Sequence, residues 1–106
     1  MDLSAVLIPA VAVAVLALMS ARADRRLRDR ARLPMQWSLQ GKVNWTAPRR
    51  IALAFTPMLA ALVLSAMALG LGDDPAGRAW PLGTVALGFV GAHALHLWLI
   101  GRDGVR

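Results

Sequence analysis

His93 and His96 are the residues of this 106-residue chain best placed to do chemistry. They stand three apart in an otherwise apolar stretch, so on a helix they share part of one surface. At the α-helical rise, His96 lies roughly 6 Å and His93 roughly 10 Å below the end of that stretch at Ile100. An imidazole inside a bilayer is costly unless it is paired. As a neutral ligand it could hold a haem iron or a bacteriochlorophyll-type magnesium. As a polar group it could form an interhelical hydrogen bond or a subunit contact, which is the commoner use. No cofactor is therefore expected.

Little else in the sequence supports catalysis. There are no cysteines, which excludes disulfides, thiolate chemistry and cysteine metal sites. The apolar stretches hold no glycine-rich phosphate loop, no recognisable nucleophile with its base and no carboxylate pair. Asp73 and Asp74 are adjacent and read as a solvated turn. A non-catalytic protein is expected.

The elements that must position the histidines are three apolar blocks: residues 3–21, 51–71 and 81–100. None of them contains Asp, Glu, Lys or Arg, and each is near the roughly 20 residues that cross a bilayer. With 58% hydrophobic and 17% charged residues, the blocks are apolar all round, where a soluble helix would keep a wet face. The expected architecture is an all-α integral membrane domain over residues 1–106 with three transmembrane helices. Met1 and Asp2 precede the first block and the arginines follow it, the reverse of a signal peptide. The first span is therefore expected to be retained.

Charge sets the expected orientation. The net charge is +6, and the basic residues crowd the connection over residues 22–50. The second connection, 72–79, holds Arg78 beside the two aspartates. By the positive-inside rule, the first loop and the C-terminus face the cytoplasm, and the N-terminus and second loop lie outside. A bacterial inner membrane is the expected location. Lipids and other membrane subunits are the expected partners, and nucleic acid is not.

Arg22, Arg25, Arg26 and Arg28 are expected to meet lipid headgroups as part of an orientation-setting loop. Charge pairs at Asp24–Arg28 and Arg25–Asp29 predict that the first helix continues to about Leu33, where Pro34 stops it. Gly41, Pro34 and Pro48 then predict turns, with Trp37 and Trp45 at headgroup level. Pro57 predicts a kink or a break in hydrogen bonding within the second span. Trp80 and Trp98 lie about 27 Å apart on a helix, as anchors at the two interfaces would. Thr84, Gly88 and Ala92 repeat every four residues and are expected to pack closely against the chain's own helices, with a partner helix as the less common use.

The stretch from Leu33 to Arg49 resembles a bacterial membrane family known as domain of unknown function 1648. Pro34, Trp37, Gly41, Trp45 and Arg49 stand in register with its pattern between two spans. Gln36 stands where the pattern has histidine, and Asn44 near an acidic position, so no metal or proton role carries over. The family's loop is expected outside the cell, whereas the arginine count here places it inside. The resemblance implies SdpI-like immunity or envelope-stress sensing. Ala92 to Leu95, with Trp98 following, is also similar to the histidine segment of light-harvesting polypeptides. Against these stands a small accessory subunit of a respiratory or photosynthetic membrane complex, acting in assembly, packing or lateral access. That reading is the leading expectation.

Overall fold

The computed structural model describes residues 3–70 and 75–103. Helix α1 covers Leu3–Arg26, strands β1 and β2 cover Arg32–Trp37 and Val43–Pro48, and helices α2 and α3 cover Arg49–Gly70 and Pro75–Asp103. Each helix contains a segment long and apolar enough to cross a membrane: Ala5–Arg26, Arg49–Gly70 and Ala79–Arg102. The sequence expectation of three spanning helices thus meets three helices of suitable length and composition.

Two expectations about the first connection need correction. The first helix ends at Arg26, followed by a turn at Leu27–Asp29, and Leu33 lies in a strand. The reason is burial: Leu27 and Leu33 tuck beneath the helices beside Ala23, Leu53, Leu97 and Ile100. A straight extension would have carried both leucines away from that cluster. The second correction concerns the turns expected at Pro34 and Pro48, which lie in strands, whereas the turn expected at Gly41 is present between them. Strands β1 and β2 form an antiparallel hairpin, so the chain is not purely α-helical. Proline obscured the strand pattern in the sequence, yet both strands of a two-stranded sheet are edges, where proline is tolerated. Pro34 pairs with Thr46, and Pro48 with Arg32.

Smaller differences concern helix ends. Residues 75–79, expected in a loop, begin α3, and proline is well suited to a first helical turn. Asp73 and Asp74 lie outside the described residues.

Helix α1 packs against both other helices, which meet each other less extensively. The result is a slab whose principal extents are 49 × 28 × 16 Å. Its apolar interior has two parts. Leu16, Leu64 and Leu82 with several alanines fill the end away from the hairpin. The second cluster, around Leu33 and Ile100, joins the hairpin to the basic end. Alanines recur in both interiors and let the helix backbones approach closely.

Candidate functional site

Pro57 has no N–H to give to the carbonyl four residues earlier, so Leu53 O loses its helical donor. Helix α2 nevertheless runs unbroken through Pro57, because α1 supplies the missing bond. Ser20 Oγ donates to Leu53 O at 2.6 Å. His93 Nε2 on α3 lies 2.8 Å from the same Ser20 Oγ. Three helices meet at this one hydroxyl, in the zone between the two apolar clusters. His93 is 1% exposed and Ser20 is 9% exposed.

The proton positions follow from the acceptors. A carbonyl only accepts, so the serine hydroxyl is committed to Leu53 O, and His93 Nε2–H donates to Ser20 Oγ. The imidazole lone pair then sits on Nδ1, which is buried and has no hydrogen-bond partner among the described residues. Serine and histidine are thus in contact, but the proton order is the reverse of a nucleophile and its base. In this arrangement the pair fastens helices together.

His96, the other predicted candidate, faces the hairpin. Its Nε2 lies 3.2 Å from Pro34 O, and its ring meets Trp37 edge-on at 5.7 Å between centroids. Both Nε2 atoms are therefore engaged within the chain. Ligation of a tetrapyrrole metal through either Nε2 would require giving up that bond. Among the described residues, no group of three or more His, Cys, Asp or Glu is arranged to hold a metal ion.

Arg49 closes the other polar site. As the first residue of α2 it donates its backbone N–H to Ala31 O at 2.9 Å. Its guanidinium reaches Asp24 Oδ1 at 2.6 Å, Arg28 O at 2.6 Å and Arg30 O at 3.0 Å. The carbonyls following a helix C-terminus lack helical donors, and a cation there answers both the lone pairs and the helix dipole. Arg30 does the same for α3, donating to Ile100 O at 3.0 Å. Arg32 bridges the hairpin through Thr46.

The hairpin loop explains Gly41. Gly41 N–H donates to Ser38 O, and Ser38 N–H to Lys42 O, closing a tight loop. The glycine has φ +85°, the left-handed conformation that this loop length demands. Trp45 Nε1 donates to Gln36 Oε1 across the strands at 3.1 Å. Pro34, Trp37 and Arg49 are thus brought into the same end of the molecule, while Gly41 and Trp45 lie exposed in the hairpin.

The remaining predicted residues lie on the outside. Trp80 and Trp98 are exposed, and Arg102 stacks over the Trp98 ring at 5.4 Å. Arg22, Arg25, Arg26 and Arg28 are exposed, as are Thr84, Gly88 and Ala92. A side chain added at Gly88 would meet nothing within 4 Å. The small-residue row of α3 thus faces outward among the described residues, contrary to the expectation that it packs against the chain's own helices.

Sequence reasoning missed Ser20, Asp24 and Arg30 as structural donors and acceptors. The available signal was Pro57, which identifies Leu53 O as a carbonyl in need of a donor. No protein-family model, curated protein or solved structure matches the chain.

Proposed function

We propose that this chain is a small non-catalytic accessory subunit of a larger bacterial membrane complex, of respiratory or photosynthetic type. One observation carries the reading: Thr84, Gly88 and Ala92 form a row on α3 that is exposed among the described residues. Small residues permit close backbone approach, so this face suits a helix of a partner subunit. The thin slab supports the same role, since its helices leave many large apolar side chains exposed while the Ser20 and Arg49 sites hold them together. The protein sits in the inner membrane with its hairpin and C-terminus in the cytoplasm, a reading supported by the basic connection. Native electrophoresis of mildly solubilised membranes carrying a tagged copy, with mass spectrometry of the tagged band, tests the proposal. Co-migration with a larger complex is expected, and a free small species alone would refute it.

A second reading is favoured by the convergence of Pro34 and Trp37 on His96. These residues belong to the segment resembling domain of unknown function 1648, and an SdpI-like immunity or stress-sensing role would use that ordered hairpin. Deletion strains challenged with peptide toxins and envelope stress test it. Unchanged sensitivity would count against this second reading alone.

A further inference from the structure

Two clefts lie along the seam between α1 and α3, and their linings follow the same helix faces. The first, of about 510 Å³, is walled by residues including Ile8, Val15, Gly83 and Val90. The second, of about 560 Å³, lies nearer the basic end between Arg22, Arg25 and Arg26 on one side and Ala94 and Trp98 on the other. On α1 the positions 8, 12, 15, 19, 22 and 26 advance by three or four residues. On α3 the positions 83, 87, 90, 94 and 98 do the same. Such steps keep to one side of a helix, so the two clefts lie in line along one seam, a groove that is apolar at the first cleft and arginine-lined at the second.

The arginines differ in their commitments. Arg30, Arg32, Arg49 and Arg102 are each engaged within the chain. The side chains of Arg22, Arg25 and Arg26 make no hydrogen bond or ion pair with described residues, and no carboxylate lines their cleft. Arg102, stacked on Trp98, adds a further cation at the rim. From Trp98 to Gly83 the groove runs about 22 Å, beyond the roughly 15 Å of one leaflet's share of the hydrocarbon core.

We infer that this groove binds an anionic glycerophospholipid, with its phosphate among Arg22, Arg25 and Arg26 and one acyl chain along the α1–α3 seam. The inference rests on reading the three helices as membrane spans. It commits to a lipid and not a free anion because the apolar cleft lies in line with the basic one along the same seam.

The test reconstitutes the full chain into nanodiscs of equal phosphatidylglycerol and phosphatidylcholine, then counts retained lipids by native mass spectrometry after release into detergent. Selective retention of phosphatidylglycerol is expected. Replacing the cleft arginines together (Arg22→Gln, Arg25→Gln, Arg26→Gln) should lower it by roughly tenfold or more. Ala94→Leu, which fills the cleft wall and keeps every arginine, should also lower it, whereas Arg28→Gln should not. Equal retention of both lipids, or a triple variant that retains phosphatidylglycerol, would overturn the site. Displacement by inorganic phosphate alone would overturn the choice of a lipid. A chain that does not enter nanodiscs refutes the membrane reading and the site with it, while entry without lipid selectivity refutes only the site.

Discussion

The Ser20 hydroxyl of α1 lies 2.6 Å from the Leu53 carbonyl of α2, the acceptor that Pro57 leaves without its helical donor. A break within one helix is thereby repaired by another, and His93 extends the repair to the third.

Ser20→Ala should destabilise the protein by about 1–3 kcal/mol, because it strands both Leu53 O and His93 Nε2–H in a buried setting. Unfolding in mixed detergent micelles measures the loss. In a Pro57→Ala background Leu53 O regains its helical partner, so the same serine substitution should be milder. A double-mutant cycle with no coupling between positions 20 and 57 would contradict this account.

Replacing Arg49 by Gln should cost about 1–3 kcal/mol and loosen the first connection, since charged hydrogen bonds to two carbonyls and Asp24 disappear together. Lys should rescue only part of the loss, as one ammonium cannot reproduce the guanidinium fork. Amide exchange in residues 27–48 would report the loosening. Protection equal to that of the parent would show that the clasp is dispensable.

Gly41→Ala places a side chain at φ +85°, with open space around it. Backbone strain is then the main penalty, about 1–2 kcal/mol. Gly41→Asn should be milder, because asparagine tolerates this conformation. Faster exchange confined to the hairpin, with the helices unaffected, is the expected pattern.

The absence of cysteine makes topology directly measurable. A single cysteine replacing Gln40 should react with an impermeant maleimide only in inverted vesicles, and one replacing Leu3 only in intact spheroplasts. Opposite labelling would reverse the proposed orientation.

Enlarging Gly88 to Leu should leave folding intact, since no described residue lies within 4 Å of a side-chain carbon added there, while weakening association with a partner helix. Native migration of the variant alongside its thermal unfolding separates these effects.

The three long helices were legible from the sequence because apolar blocks without charge have few alternatives. The hairpin was not, because Pro34 and Pro48 interrupt the residue pattern that usually marks a strand. Helical charge pairing at Asp24–Arg28 was misleading for a different reason. Asp24 is taken by Arg49, 25 positions away, a contact that local spacing cannot reveal. His93 and His96 stood out as costly groups, but their roles depended on Ser20 and Pro34, which lie on other elements. Likewise the row at Thr84, Gly88 and Ala92 was visible as a pattern, while its outward direction required the packed helices.

Every partner of Arg49 precedes it in the chain: Asp24, Arg28, Arg30 and Ala31. During synthesis the clasp therefore needs nothing still to be made. The unit comprising α1, the hairpin and α2 can close on itself as soon as α2 has emerged from the ribosome. Ser20 is then already bonded to Leu53, and α3 arrives last to a hydroxyl whose remaining lone pair awaits His93. The order of translation and the order of polar satisfaction run in the same direction.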